Sequence, residues 1–168
     1  MADDALFQVN LVTPERVLFR GMASEVVLRT GEGDATFLAG HTPLVGTVQP
    51  GVVRIVRPEG DDVRVAVHGG FTQVEQGVDL DAEDAAADTT GTRVTLLIGV
   101  AELAEEIDVD RARTALEAAE ARVAELGTST RAPGEGEEPD PEVAEAAAAL
   151  LRAQVRLEAV DASATAAT

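Results

Sequence analysis

The hydrophobic and polar pattern of the chain changes near residue 100. Before this point, short Val-rich runs are separated by Gly and Pro, as in sheet proteins. Beyond it, Ala, Glu, Arg and Leu recur at the spacing of amphipathic helices. The change predicts an α+β protein in which an antiparallel β-sandwich domain over residues 1–100 is followed by a two-helix antiparallel hairpin over residues 101–168.

The first module contains a series of short strand candidates. From Val63 to Val67, Val alternates with Arg64 and Ala66, the period-two pattern of a strand with one buried face. Turn residues such as Gly69 and Gly70 separate the runs, which favours a sandwich or barrel with antiparallel pairing. The candidate runs are residues 6–12, 17–19, 25–29, 35–38, 44–48, 52–56, 63–67, 71–74 and 94–100.

Residues 75–92 interrupt the strand pattern. The segment is acidic and offers little apolar surface to bury, so it is predicted to be an extended hairpin loop inserted in the sandwich. A calcium loop built on Asp79, Asp81, Glu83 and Asp84 is the functional alternative. The bend-forming Gly and distal Glu of a calcium hand are not at the required spacing, so a solvated loop is favoured.

Two helices are predicted in the second module. Asp108 is placed to cap the first, and Gly127 is expected to end it. The linker over about 127–141 is rich in Pro and Gly and is predicted to be mobile, and the second helix then runs from Glu142 to about Val160. The apolar stripes are Ala112, Leu116, Ala119, Val123 and Leu126 in the first helix, and Val143, Ala147, Leu150 and Leu157 in the second. Because these stripes are narrow and rich in Ala, we expect a weakly held hairpin.

Three arginines are predicted to meet at the open end of this hairpin. Arg111 lies far before the linker, while Arg152 and Arg156 lie equally far after it. Guanidinium groups beside a capped helix end are suited to phosphate oxygens, and Asp108 or Glu102 could meet a ribose or base. The alternative is that the arginines pair with neighbouring carboxylates, namely Glu102, Glu105, Glu106 and Asp110.

Composition narrows the possible functions. The 31 acidic residues against 13 basic ones give a net charge of -18, which disfavours binding to nucleic acid or to anionic membrane surfaces. No cysteine is present, so disulfides and thiol chemistry are excluded. No apolar run approaches the roughly 20 residues that span a bilayer, and the basic start of a signal peptide is absent, so we expect a soluble, cytoplasmic chain.

His41 is the residue most open to a catalytic or metal-binding interpretation. Its loop contains Gly40 and Pro43, and the only other histidine is His68. Without a cysteine or a neighbouring nucleophile pattern, His41 is predicted to be a hydrogen-bonded turn residue.

A series of short motifs follows a specific order along nearly the whole chain. They are Val12, Thr13, Pro14 and Glu15; Gly33 and Asp34; Gly40, His41, Thr42, Pro43 and Leu44; Gly51, Val52 and Val53; and Gly69, Gly70 and Phe71. A helical motif follows, in which Ile107 and Asp108 precede two free positions and then Arg111 and Ala112. Together these motifs resemble those of the ε subunit of bacterial F-type ATP synthases, called δ in mitochondria.

The resemblance implies a noncatalytic part of the central rotor stalk. Such a subunit would bind the γ subunit and the membrane c-ring, couple proton flow to ATP synthesis, and lie peripherally on the cytoplasmic face of the cell membrane. In some family members the hairpin binds ATP when folded. When extended, it inserts among the catalytic α and β subunits and blocks ATP hydrolysis.

The resemblance also implies a nucleotide site. The ATP-contact positions of the family correspond to Glu102, Asp108, Arg111, Ala112, Arg152 and Arg156. The implied ligand is regulatory ATP, with no required cofactor, no metal and no catalytic residue. A free-standing acidic nucleotide-sensing module is the alternative function, and an exposed apolar patch on the sandwich would favour the rotor subunit over it.

Overall fold

The computed structural model describes residues 5–77, 91–129 and 140–166. It divides the chain into two compact units, Met1–Ala104 and Glu105–Thr168. Most of the predicted inserted loop, including the acidic residues considered for calcium, and residues 130–139 of the predicted linker lie outside the described residues.

The first unit is built from strands. Each predicted run corresponds to an observed strand, and the short strand β10 was missed because it has only three residues. The bounds are β1 Phe7–Val12, β2 Val17–Ala23, β3 Glu25–Thr30, β4 Gly33–Phe37, β5 Leu44–Val48, β6 Gly51–Val56, β7 Val63–Val67, β8 Gly70–Glu75, β9 Arg93–Ile98 and β10 Ala101–Leu103.

The described strands form a curved sheet with one parallel pair. Their order is β10-β7-β6-β3-β5-β8-β9-β1-β2, and β4 pairs with β3. The pairs are antiparallel except β1 with β9, which run parallel from Gln8 opposite Arg93 to Val12 opposite Leu97. The predicted antiparallel sandwich is confirmed as the fold, and this one pair departs from the predicted antiparallel pairing. Alternation within a strand specifies its buried face but carries no information about the direction of a partner distant in sequence.

Large apolar side chains fill the interior of this unit. Those that are fully buried include Phe7, Leu11, Leu28, Ile55, Leu96 and Ile98. Gly70 allows β8 and β9 to approach, because a Cβ at this position would lie 2.3 Å from the carbonyl oxygen of Leu97. The interior therefore depends both on large side chains and on one position where no side chain fits.

The second unit is a pair of helices, α1 Val109–Ser129 and α2 Pro141–Ala166. Asp108 caps α1 as predicted, since its Oδ1 accepts a hydrogen bond from the Arg111 backbone N–H at 3.0 Å. Asp140 caps α2 in the same way, through the Glu142 N–H at 2.9 Å. A short 3₁₀ turn, Ala104–Glu106, precedes α1.

The ends of the helices differ from the prediction. α1 continues through Gly127, where the backbone is open to solvent. Glycine costs a helix about 1 kcal/mol but keeps its backbone N–H donor, so it does not by itself end the helix. α2 begins at Pro141 rather than after it, since the first helical position needs no N–H donor. α2 also extends beyond Val160, to Ala166.

The buried stripe is as predicted in α1 but not in α2. In α1, Ala112 and Ala119 are buried and the three larger residues between and after them are half-buried. In α2, Ala147 is exposed, and the buried residues are Ala146, Ala153, Val155 and Ala159. Residues 146–149 are all alanine, so hydrophobic periodicity does not specify which of them faces inward.

Candidate functional site

Contacts near the linker define how α1 and α2 pair. Arg122 of α1 donates to Glu142 Oε2 of α2 at 2.8 Å. An open groove of about 620 Å³ lies beside this ion pair and is lined by Ala115 and Ala119 of α1 and by Ala146 and Ala149 of α2. The ion pair joins the late part of α1 to the start of α2, and the groove is lined by earlier residues of α1 and later residues of α2, so the hairpin is antiparallel, as predicted.

The same register extends to the predicted nucleotide residues. Arg111 lies 11 residues before Arg122, and Ala153 lies 11 residues after Glu142, so Arg111 comes level with Ala153 and its neighbour Arg152. Asp108 lies 14 residues before Arg122, and Arg156 lies 14 residues after Glu142. The candidate residues of α1 and α2 therefore share one end of the hairpin.

The α1 members of the set differ in what they offer a ligand. The Asp108 carboxylate is exposed and already caps the helix. The backbone carbonyl of Asp108 accepts a hydrogen bond from the Ala112 N–H at 2.9 Å. The Ala112 side chain is buried. The Arg111 side chain is exposed, and its guanidinium makes no ion pair within the described ranges, so it is available to an anion.

The remaining members are more constrained. Arg152 donates to Glu145 Oε1 at 2.8 Å, and Arg156 is half-buried. Glu102 belongs to the other compact unit, where it lies on β10 opposite Ala66 of β7. The structure thus brings five of the six candidates to one end of the hairpin and assigns Glu102 to the sandwich.

Sequence reasoning missed the acidic partner of Arg152. The predicted alternative paired the arginines with carboxylates around the start of α1, and there it is Arg113 that lies near Asp110, at 4.0 Å. The signal for Glu145 was its spacing, because residues seven apart lie on the same face of a helix.

The linker end of the hairpin carries a fixed positive charge. The hydrogen bond to Glu125 raises the pKa of Arg122, the charge of Glu125 raises it further, burial opposes the rise, and the charge of Glu142 adds to it. Arginine is protonated throughout the physiological pH range, so Arg122 is a permanent positive partner that joins the two helices near the linker.

The sandwich has an exposed apolar row across neighbouring strands. Phe71 of β8 lies opposite Leu97 of β9, and their exposed fractions are 58% and 50%. Val45 of β5 is 74% exposed and lies opposite Gln73, two residues along β8 from Phe71 and on the same face. On the far side of Leu97, Val12 of β1 pairs with the exposed Val17 of β2. We call Val45, Phe71, Leu97 and Val17 the apolar row.

The sequence contained a signal for this row. In β9 the consecutive residues Leu96 and Leu97 are both large and apolar, although successive side chains of a strand point to opposite faces. One of them must face outward, and the structure shows that it is Leu97.

His41 is a hydrogen-bonded turn residue, as predicted. Its backbone N–H donates to the Leu38 carbonyl at 3.1 Å, and its Nδ1 lies 2.9 Å from the Thr42 carbonyl oxygen. The edge of the imidazole meets the ring of Phe37, with centroids 4.9 Å apart. These contacts account for the residue without a catalytic role.

Comparison with known proteins assigns both units to one family. The family described as ATP synthase, Delta/Epsilon chain, beta-sandwich domain matches residues 6–88. The family described as ATP synthase, Delta/Epsilon chain, long alpha-helix domain matches residues 105–161.

Individual relatives agree with the family match. The ATP synthase epsilon chain of Thermobifida fusca is 45% identical over 114 residues, which are 67% of this chain and 73% of the relative. The ATP synthase epsilon chain of Moorella thermoacetica is 39% identical over 158 residues, which are 94% of this chain and 98% of the relative.

Solved structures show a similar fold. A chain in the cryo-EM structure of the Euglena gracilis mitochondrial ATP synthase, OSCP/F1/c-ring in rotational state 1, matches with a TM-score of 0.58 and 22% identity. The match covers 98% of this chain and 82% of that one. At this identity the likeness concerns the fold.

The fold, a sandwich followed by a helical hairpin, is therefore the one that the two family descriptions name. The chain belongs to the delta/epsilon-chain family of the F-type ATP synthase and is a noncatalytic subunit of that complex. Within the described ranges, no helix is long and apolar enough to cross a membrane.

Proposed function

We propose that the chain is a rotor subunit of the central stalk, whose sandwich contacts the γ subunit and the c-ring and so couples proton flow to ATP synthesis. The observation that carries this proposal is the apolar row. In a free monomer, the exposed side chains of Phe71 and Leu97 contribute no free energy of burial, whereas burying them in an interface contributes favourable free energy. In this role the chain is peripheral on the cytoplasmic face of the membrane.

Copurification tests this role directly. Tagged protein expressed in cells that lack their own copy of this subunit should bring down the α, β and γ subunits from solubilised membranes. Phe71→Asp and Leu97→Asp should each lower the recovered γ at least tenfold, because a carboxylate buried in the interface costs several kcal/mol.

Val100→Asp is the matched control. Val100 is equally exposed but lies outside the strands, so the change should leave recovery of γ near the wild-type level. Loss of γ in all three variants would indicate a general effect of added charge. No copurification of the wild-type chain would instead favour the free-standing nucleotide-sensing module.

We further propose that the hairpin binds ATP with Asp108, Arg111, Ala112, Arg152 and Arg156, and that ATP regulates hydrolysis. The common register of Arg111, Arg152 and Arg156 supports this, because several guanidinium groups can share the charge of a triphosphate. When the hairpin is extended, the same helices meet the α and β subunits and restrain ATP hydrolysis.

Calorimetric titration of ATP into the full chain tests the nucleotide site. Arg111→Ala and Arg156→Ala should each weaken binding by about 10- to 100-fold, the range expected when a charge-assisted hydrogen bond is lost. Arg113→Ala is the control, since Arg113 is a neighbouring exposed arginine paired with Asp110 and is not a member of the set. Equal affinities in the wild type and all three variants would contradict the site.

A further inference from the structure

One arginine of the proposed nucleotide site is already bound to a carboxylate. Arg152 Nη2 donates to Glu145 Oε1 at 2.8 Å, and the two side chains are 39% and 74% exposed. Glu145 lies seven residues before Arg152 on α2, about 10 Å nearer the linker at the rise of an α-helix. The bond therefore directs the guanidinium away from the end of the hairpin where Asp108 and Arg156 come level.

Glu145 and a phosphate group require the same donors. A guanidinium offers its N–H groups in a planar fork that fits either a carboxylate or a phosphate. When Arg152 contacts a triphosphate beside Arg111, its reach toward Glu145 is lost. Binding of ATP through Arg152 is thus an exchange of one anion for another.

Resting on the nucleotide site proposed above, we propose that Glu145 is an internal competitor for Arg152 and lowers the ATP affinity of the hairpin. Glu145 is a positioning residue, because it acts through Arg152 and does not touch the nucleotide. Only molecules in which Arg152 has left Glu145 are fully competent, so the apparent dissociation constant equals the intrinsic one divided by the fraction of molecules in which Arg152 is released.

The expected effect follows from the exposure of the pair. Ion pairs open to solvent are weak, so Glu145→Gln should tighten ATP binding by about two- to fivefold. The glutamine retains the size of the side chain and its helix propensity while removing the charge. High salt should reduce the difference between the variant and the wild type.

Glu142→Gln provides a matched control for net charge. Glu142 lies three residues before Glu145 on the same helix and is similarly exposed, at 69%. It pairs with Arg122 at 2.8 Å, outside the proposed nucleotide set. Both variants remove one negative charge from the same helix, so the change in the net charge of the chain is common to them.

Calorimetric titration of ATP into the full chain, with helicity checked by circular dichroism, distinguishes the outcomes. Tighter binding by Glu145→Gln than by both the wild type and Glu142→Gln supports the competitor. With measurable binding by the wild type, an affinity of Glu145→Gln no higher than that of the wild type or of Glu142→Gln overturns the competitor and leaves the nucleotide site standing. No binding by the wild type or either variant overturns the nucleotide site and the competitor together.

A second variant tests whether Glu145 acts through Arg152. In an Arg152→Ala background, Glu145→Gln should give no gain, whether the remaining affinity is measurable or not. A gain of two- to fivefold in this background, or recovery of binding that Arg152→Ala had abolished, would show that Glu145 acts on ATP by another route and would overturn the proposal.

Discussion

The two compact units bury side chains of very different size. In the sandwich, the fully buried residues include Phe7, Leu11 and Ile55. In the helical unit, the buried residues of both helices are mostly alanine, such as Ala119 and Ala146. A fully buried large side chain contributes about 1.5–3 kcal/mol, whereas a single methyl group contributes about 0.8 kcal/mol. The sandwich is therefore held by a few large contributions at each strand, and the hairpin by small ones.

Because of this difference, one chain can combine a stable body with a hairpin that opens more readily. Most strands of the sandwich pair with two neighbours, and several of these partners are distant in sequence, so an inner strand cannot leave without breaking bonds on both sides. The helices keep their internal hydrogen bonds when they separate, and lose mainly alanine contacts and exposed ion pairs such as Arg122 with Glu142. The free energy of local opening should be lower in the hairpin, as the proposed regulation by extension requires.

Truncation of equivalent leucines in the two units should give the largest contrast. Leu96→Ala removes a fully buried side chain from β9 and should lower the free energy of unfolding of the sandwich by about 2–5 kcal/mol. Leu116→Ala removes a half-buried side chain from α1 and should cost the hairpin less than half as much. Urea unfolding with hydrogen exchange resolved by peptide measures each unit separately. Equal costs would contradict the comparison.

An added side chain at two adjacent alanines should give the next largest effect. Ala146 is buried between the helices, so Ala146→Leu should force them apart at a cost of about 1–3 kcal/mol. Ala147 is exposed, and Ala147→Leu should change stability by less than about 0.5 kcal/mol. Thermal melting of the helical signal at 222 nm measures both changes. If Ala147→Leu were the more damaging variant, the stripe predicted from the sequence would be correct and the observed one wrong.

These alanines also show what the sequence could and could not predict. Strands were recovered because valine alternation is a local signal, and β5 and β7 have the predicted bounds. The parallel pairing of β1 with β9 depends on the whole sheet, and the inward face of α2 depends on small energy differences among neighbouring alanines. Neither is specified by a short window of sequence.

The candidate nucleotide site divides in the same way. Helix length and register are enough to bring Arg111, Arg152 and Arg156 to one end of the hairpin, and both follow from residue numbering. The pairing of Arg152 with Glu145 is a choice among rotamers of two long side chains. Several carboxylates lay within reach of each arginine, so residue type and spacing did not decide between them.

Loss of the cap on α1 should give the smallest of the three effects. Asp108 Oδ1 satisfies the Arg111 N–H, one of the backbone donors that an α-helix leaves without an internal partner. Asp108→Ala removes this acceptor and should lower the stability of the hairpin by about 0.5–2 kcal/mol. The sandwich buries its own core and should keep its stability, so the change should appear only in the helical melting transition.

Asp108→Asn separates the cap from the charge at the same position. Asparagine retains the side-chain acceptor, so the helix should lose only the interaction of the carboxylate with the helix dipole, about 0.3–1 kcal/mol. The loss of the negative charge should change the ATP affinity equally in both variants, whereas only Asp108→Ala also loses the cap. Equal melting temperatures for the two variants would mean that the Arg111 N–H does not depend on Asp108, and the comparison would then rest on alanine packing alone.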